Sequence, residues 1–493
     1  MKIFIATEGG RDIGFGHVTR CLSLCQAFEE RGIKPEFIIN GDEAIKQLLG
    51  GRTCHVFNWL KDEERLYGLI ADSSATIVDS YLADARFYEM VQKTVKIPVY
   101  IDDNKRIDYP RGFVVNGMVY AEEIDYPQKN GITYLLGSGY VPLRRQFWGI
   151  DEKTVRGSIE DIMITFGGDD SREMTPKVLK LLQKEFSSIT KHVVIGNSFK
   201  NRDAIERLKD SNTYLIYNPD VEDMIALMRK SDIAVSAGGQ TLYELARVGV
   251  PTVGICVADN QVRNLEGWRK KGFLEYIGWY CDKALSANIK KAIEHLMPFG
   301  VRKDKSTAGF KSVDGKGSIR VVQEILAALF RDRITFRTAT YGDAQPLLEL
   351  YNDEIVRNNS FNPERVGWEH HTKWLAEKLN SKNCLFFVID IDGHFCGQVR
   401  FDISSDRKEA IINISLSKTL RGLGLGDTIV SKSIDELLKV RSNIKSVKAF
   451  IKKENIASLK TFEKASFRFI EDTIYKDNET KVYTKDIDYV RAK

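Results

Sequence analysis

A chain of 493 residues has length for about three domains at roughly 100 to 200 residues each, so a single core is not expected. Its 73 basic and 68 acidic residues leave a formal net charge of +5, too balanced to argue for nucleic acid or an anionic membrane as partner. Seven cysteines without a CxxC pair suggest reduced, mostly buried thiols and exclude a zinc knuckle or a disulfide framework. With no apolar run able to cross a bilayer and Met1 running straight into a strand, a cytoplasmic location is expected.

Apolar strands at Lys2 to Thr7, Pro35 to Ile39, Ala75 to Val78 and Val95 to Ile101 alternate with amphipathic stretches, which predicts a parallel sheet covered by helices over residues 1–150. After the first strand, two glycines supply a turn, and Val18, Cys21, Leu22, Cys25 and Phe28 follow at helical spacing. His17 therefore sits near a helix N-terminus, where the helix dipole disfavours imidazolium and favours a neutral, proton-accepting ring beside an anionic ligand. A structural cap on the same helix is the competing role.

The alternation restarts at Ile159. Strands at Asp161 to Phe166, His192 to Ile195, Tyr214 to Tyr217 and Asp232 to Ser236, with helices near Pro176 to Phe186 and at Val221 to Lys230, predict a second Rossmann-like half over residues 151–332. The strand Asp232 to Ser236 runs into Gly238-Gly239-Gln240-Thr241, where glycines let the backbone approach a diphosphate and the first helical amides can donate to it. A plain strand-to-helix turn is the alternative. Glu244, one turn into that helix, is a candidate acceptor for ribose hydroxyls. Asp79 and Tyr81, just past a strand end, are candidates for sugar contacts or helix caps, and Arg20 for substrate binding or an ordinary helix-face charge. The pairs Asp102-Asp103 and Asp169-Asp170 could ligate a divalent ion, but no spaced His and Glu set accompanies them, so activity without metal is expected.

From Arg333 the pattern changes to a short strand, two helices, a hairpin turning at Asp392-Gly393, another strand, a glycine-rich loop and a helix. This is a third domain, residues 333–493. Arg421-Gly422-Leu423-Gly424-Leu425-Gly426 follows the strand Ala410 to Leu416 and opens the helix Thr428 to Leu438, so its amides can hold a pyrophosphate.

Residues 1 to about 330 resemble the UDP-sugar hydrolases of the pseudaminic acid pathway, members of the GT-B superfamily. The resemblance rests on Gly14-x-Gly16-His17-x-x-Arg20-Cys21, Val78-Asp79-Ser80-Tyr81, Ile101-Asp102-Asp103, Leu136-Gly137 with Tyr140 to Phe147, Phe166-Gly167-Gly168, the Gly238-Gly239 helix start, and Asn260-Gln261. It implies two Rossmann-like domains in the GT-B arrangement and hydrolysis of UDP-2,4-diacetamido-2,4,6-trideoxy-β-L-altropyranose by water attack at C1. His17 is then the general base, and Gly16, Arg20, Asp79, Tyr81, Gly168, Gly238, Gly239, Gln240, Thr241, Glu244, Asn260 and Gln261 are the substrate-binding set. Asp169-Asp170 and Gln240 depart from the residues usual at those turns.

The third domain resembles the GNAT acyltransferases, an α+β fold with a mixed sheet, through its Arg-x-x-Gly-x-Gly run and through Asn455-x-x-Ser458-Leu459 with Phe462 to Phe467. The resemblance implies acetyl-CoA as cosubstrate, held by Arg421, Gly422, Gly424, Gly426 and Asn455, the last of which also suits a helix cap. Phe462 stands where many members place a tyrosine that protonates the leaving thiolate. Tyr475 and Tyr483 have no pattern that selects them as its replacement, and His370 and His371, before Trp374, are expected in packing or capping roles.

Fusion of the two implies acetylation of UDP-4-amino-4,6-dideoxy-N-acetyl-β-L-altrosamine followed by hydrolysis of the product. A UDP-sugar glycosyltransferase, and a hydrolase with an acyl-CoA-binding regulatory module, are the alternatives.

Overall fold

The computed structural model describes residues 1–10, 14–43 and 45–487; residues 488–493, the end of the third predicted domain, lie outside them. The chain divides into two compact units, Met1–Val322 and Gln323–Lys493.

The first unit holds two parallel sheets. Strands β1 (Ile3–Gly9), β2 (Glu36–Gly41), β3 (Cys54–Val56), β4 (Ala75–Asp79), β5 (Ile97–Ile101), β6 (Gly112–Asn116) and β7 (Ile132–Leu136) lie in the order β3-β2-β1-β4-β5-β6-β7. Near-continuous apolar runs such as Ile3–Gly9 are buried throughout, as a sheet covered on both faces requires. Strands β8 (Asp161–Thr165), β9 (Thr190–Ile195), β10 (Thr213–Tyr217), β11 (Ile233–Ala237), β12 (Thr252–Cys256) and β13 (Leu274–Trp279) form the second sheet, in the order β10-β9-β8-β11-β12-β13. Both are doubly wound, with strand order reversing between β1 and β4 and between β8 and β11. In open α/β sheets the crevice beyond the carboxyl ends of the strands at such a switch point receives the ligand.

The second unit holds a mixed sheet of β14 (Ile334–Thr338), β15 (Cys384–Ile391), β16 (His394–Ile403), β17 (Glu409–Leu416), β18 (Ser446–Lys452), β19 (Arg468–Tyr475) and β20 (Asn478–Asp486), ordered β14-β15-β16-β17-β18-β20-β19. The β15–β16 hairpin turns through Asp392 and Gly393, both at positive φ, the conformation a two-residue primed turn demands. Three helices, not two, precede it: Ala344–Tyr351, Glu354–Asn359 and Trp368–Asn380. The middle one buries no residue, so it has no apolar stripe to announce it.

The decisive feature of this sheet is a parting. β17 and β18 pair in parallel only through Glu409–Ser446, Ala410–Val447 and Ile411–Lys448, and beyond Ile411 they separate. The parted ends, Ile412 to Leu416 and Ala449 to Lys452, line a cavity of about 850 Å³.

Candidate functional sites

At the first switch point, the helix Gly16–Glu29 follows β1, and β4 ends on Asp79. The His17 side chain does not cap its helix. Its Nδ1 lies 2.7 Å from Asp79 Oδ1. Arg20 donates from Nε to Asp79 Oδ2 at 2.6 Å and from Nη2 to Oδ1 at 2.6 Å, while its Nη1 reaches both oxygens of Asp103 at 2.8 and 2.9 Å. Arg20 Nη2 also lies 3.2 Å from His17 Nδ1, which would suit a bare Nδ1 lone pair. That tautomer would set the lone pair against a carboxylate oxygen at 2.7 Å. The proton therefore belongs on Nδ1, donated to Asp79, and Nε2 is left as the acceptor.

Tyr81 completes the cluster. Its ring meets His17 edge-on at 4.7 Å and 89°, and its hydroxyl donates to Asp103. Glu8, buried at the end of β1, fixes the Tyr81 loop by accepting from Tyr81 N at 2.7 Å and from Ser80 Oγ at 2.8 Å.

Two expectations change here. Asp79 is 0% exposed, with both oxygens engaged by His17, Arg20 and the Cys21 thiol, so it orients the imidazole and presents nothing to a sugar. Arg20 is a buried bridge between two carboxylates, not a helix-face charge. Nor do the aspartate pairs resemble metal ligands. Asp102 accepts from Lys105 N, Tyr109 and Tyr126, Asp103 from Arg20 and Tyr81, and Asp170 caps the helix Met174–Glu185 through Met174 N and Thr175 N. Among the described residues no group of three or more His, Cys, Asp or Glu could hold a metal ion.

Burial acts to raise the Asp79 carboxyl, but the Arg20 guanidinium and then His17 outweigh it and hold the group well below the usual carboxylate range. The folded chain thus binds this proton less readily than the unfolded chain. The pairing stabilises the first unit above the ordinary carboxylate pKa of about 4 and loses that contribution as pH falls below it toward the depressed value. Thermal unfolding from pH 5 down to pH 2 should show Asp79→Asn losing stability less steeply than the parent chain. Parallel curves would contradict the assignment.

At the second switch point, Gly238 and Gly239 link β11 to the helix Thr241–Val248. A Cβ on Gly238 would lie 2.8 Å from Gln261 Cβ and Leu265 Cγ, so glycine is required for packing there, whereas Gly239 faces open space. Gln261 Oε1 accepts from Gly238 N at 3.1 Å and Val257 N at 3.2 Å, which makes Gln261 a brace for the turn. Gln240 Nε2 donates to Pro142 O at 3.2 Å, and Glu244 accepts from Arg144 at 2.7 Å, so its Oε1 meets a guanidinium in this structure. Thr241 is half-buried at the helix start, and Asn260, Gly168 and Gly16 are exposed at turns or helix starts beyond strand ends.

The two clusters belong to one bonded assembly. Tyr120 Oη donates to Asp103 O at 3.0 Å; its neighbour Val119 N donates to Tyr243 Oη at 2.9 Å; Tyr243 donates to Asn264 Oδ1 at 2.6 Å; and Asn264 Nδ2 donates to Gly238 O at 2.8 Å. Arg144 lies within the Tyr140 to Phe147 segment of the resemblance, but nothing there singles it out, and Tyr243 and Asn264 carry no motif, so sequence pattern alone does not find these pairings.

In the second unit, Gly422 and Gly424 take φ of 74° and 70°, which turns the chain into the helix Gly426–Val440. Gly426 packs against Thr461, and a Cβ on Gly424 would meet nothing within 4 Å. The Arg421 guanidinium is paired with Asp353, its Nη2 at 2.7 Å from Oδ2, so this side chain is engaged within the protein. Asn455 caps the helix Ile456–Lys464 through Ser458 N at 3.1 Å and also lines the cavity. Phe462 lines it too, edge-on to Phe467 at 5.0 Å. Tyr475 instead meets Phe361 edge-on and Phe450 at a tilt, and Tyr483 donates to Glu463.

The residues lining this cavity include arginines 357, 400 and 421 and lysines 452 and 476, but no carboxylate. A helix N-terminus behind a glycine turn, two strands with unpaired backbone, and an excess of cations fit a ligand with a pyrophosphate and an amide-bearing arm. Acetyl-CoA has both.

Residues 333–468 match the family described as Acetyltransferase (GNAT) domain, and this part of the chain is a GNAT acetyltransferase domain. The whole chain is similar to Uncharacterized protein MJ1062 of Methanocaldococcus jannaschii, 23% identical over 95% of this chain and 97% of that protein. The N-terminal region is distantly related to UDP-sugar hydrolases. It is 23% identical, over 50% of this chain and 43% of the relative, to a Helicobacter pylori protein named Pseudaminic acid cytidylyltransferase and UDP-2,4-diacetamido-2,4,6-trideoxy-beta-L-altropyranose hydrolase. A spermidine N-acetyltransferase structure from Vibrio cholerae, with CoA and spermine, aligns at 15% identity and a TM-score of 0.29, over 31% of this chain and 96% of that one. Among the described residues no helix is long and apolar enough to cross a membrane.

Proposed function

We propose that this chain is a bifunctional enzyme of pseudaminic acid biosynthesis. Its GNAT domain N-acetylates UDP-4-amino-4,6-dideoxy-N-acetyl-β-L-altrosamine, and its first unit hydrolyses the resulting UDP-2,4-diacetamido-2,4,6-trideoxy-β-L-altropyranose to UDP and the free sugar. The observation that carries the hydrolytic half is the His17–Asp79 pair at one switch point, bonded through Tyr243 and Asn264 to a glycine turn at the other.

UDP is a good leaving group, so the protein has to orient a water, take its proton and stabilise charge growing on the diphosphate. His17 Nε2 takes the proton, and Asp79, held ionised by Arg20, stabilises the imidazolium that forms. The amides at Gly239 to Thr241 receive the diphosphate at the positive end of their helix. Tyr81 and Asn260 are the exposed groups left for sugar and nucleotide contacts.

In the GNAT domain, acetyl-CoA supplies an acetyl group activated as a thioester. The amides of Gly422 to Gly426 hold its pyrophosphate, Asn455 lies beside it, and the parted β17 and β18 offer strand-like partners to its arm. A lining with no carboxylate suits an acceptor that is itself a diphosphate diester, because its charges are all cationic, those of Arg400 and Arg421 being shared with Asp402 and Asp353.

The test is incubation of the 4-amino UDP-sugar with and without acetyl-CoA, with products resolved by mass. Acetylated UDP-sugar first, then UDP and free sugar with no added acceptor, is the expected result. UDP release only when a sugar acceptor is present would replace this reading with a glycosyltransferase. Hydrolysis that acyl-CoA alters without any acetylation would replace it with the regulatory one.

A further inference from the structure

Phe462 removes the usual proton donor from the acetyl-transfer site, and the cavity has no carboxylate to act as base. The helices on its wall carry three buried polar atoms without a partner, Arg357 Nε, Tyr351 Oη and His371 Nδ1, and of these the last two can exchange a proton near neutral pH. His371 is 1% exposed, and its Nε2 makes a 2.8 Å bond to Ala344 O. A carbonyl can only accept, so Nε2 carries the proton and Nδ1 the lone pair. That Nδ1 is buried with no partner, and so is the hydroxyl of Tyr351. The two rings meet edge-on at 5.8 Å, and both residues line the cavity. Buried polar atoms without partners are rare in native folds and call for an explanation.

Their position supplies one. Trp374 packs on His371 at 5.9 Å, the Arg400 guanidinium lies over the Trp374 ring at 5.3 Å, and Arg400 sits in register with Asn413, just past the residue where β17 leaves β18. The unused pair therefore borders the place where the strands part.

We propose that His371 Nδ1 and Tyr351 Oη are the general base and general acid of acetyl transfer in this chain. The acceptor amine forms a C–N bond to the acetyl carbon as the C–S bond breaks. The proton lost by nitrogen goes to His371 Nδ1, and the departing thiolate takes the Tyr351 hydroxyl proton. The imidazolium then releases its proton to solvent and the tyrosinate takes one back, which restores both groups, so atoms and charge balance without a further reactant. Burial lowers His371 and raises Tyr351, which favours the neutral ring and the protonated hydroxyl as resting forms while making each a weaker base and acid than when free. The titratable and charged groups around the pair are His370, Arg357, Arg400, Asp402 and Cys384, and no carboxylate bonds to either atom. The packing role expected of His371 is met by its ring contacts and its Nε2, and Nδ1 takes no part in it.

This assignment rests on the acetyltransferase reading of the domain. His371→Gln and Tyr351→Phe, which keep the wall filled, are expected to lower kcat for acetylation of the 4-amino UDP-sugar by about 10²-fold or more. Calorimetric CoA affinity should stay within about threefold, and the acidic limb of the kcat–pH profile should be lost in His371→Gln. A retained acidic limb, or rates within fivefold of the parent, would overturn it. Independently of turnover, ¹⁵N NMR of the intact chain should show His371 as the Nε2–H tautomer at pH 7; an Nδ1–H or doubly protonated ring would overturn it even if the variants fail to fold. If the parent chain acetylates nothing while the tautomer is as stated, the acceptor assignment fails and not the pair.

Discussion

His17→Ala is expected to lower UDP release from the diacetamido UDP-sugar by about 10²- to 10⁴-fold, the usual contribution of a general base, while acetylation of the 4-amino precursor continues at the parent rate. The size of the effect follows from the geometry. Asp79 has no exposure through which to act on a ligand, so what the buried Arg20–Asp79–Asp103 network does for chemistry passes through the imidazole it holds. Removing the ring leaves Asp79 paired with Arg20, so no buried charge is stranded and the first unit should unfold within a few degrees of the parent. His17→Gln serves as the second variant. Its amide can still donate toward Asp79 but offers no nitrogen that takes a proton. A hydrolysis rate within tenfold of the parent in both variants would remove His17 from the base role. Accumulation of acetylated UDP-sugar in the variant, measured by mass, is the positive readout, because it shows the second unit working while the first does not.

What could be read from the sequence was what is local. An apolar strand, a glycine turn and a helix start are contiguous, and so Gly14 to Arg20, Gly238 to Thr241 and Arg421 to Gly426 stand out as anion-binding or catalytic turns before any contact is known. The pairings that give those turns their chemistry are not local. Asp79 is 62 residues from His17, and nothing in its own segment distinguishes a carboxylate that orients a histidine from one that binds a sugar. Arg144 meets Glu244 across 100 residues, and Val119 meets Tyr243 across 124. Glu8 is a carboxylate in an apolar strand, a visible oddity whose meaning depends on the loop it accepts from. Two of the missed strands are short or weakly patterned: Cys54–Val56 has three residues, and Gly112–Asn116 is bounded by the residue types that otherwise signal turns. The parting of β17 and β18 left no trace in composition, because both strands keep their apolar alternation on either side of it.

Gly424→Trp is expected to abolish acetyl transfer by preventing CoA binding, with the dissociation constant raised by about 100-fold or more and UDP release from presynthesised diacetamido substrate unchanged. Two separate effects act at this residue. Its φ of 70° lies in the left-handed region, where a side chain costs roughly 1–2 kcal/mol, a strain a folded domain can absorb. The larger effect is occupancy. A Cβ at Gly424 would have no atom within 4 Å, and Gly424 lines the cavity just ahead of the helix Gly426–Val440, where the proposed function puts the pyrophosphate. An indole there takes the volume a pyrophosphate needs and removes its access to the helix N-terminus, the strongest neutral attraction the site offers an anion. Gly424→Asn separates the two effects. Asparagine tolerates positive φ and is small, so it should bind CoA within about tenfold of the parent while the tryptophan variant does not. Calorimetry with CoA alone reads this without turnover. Equal losses in both variants would mean that backbone conformation governs the site, and undiminished binding in Gly424→Trp would place the cofactor's phosphates elsewhere than on Gly422 to Gly426.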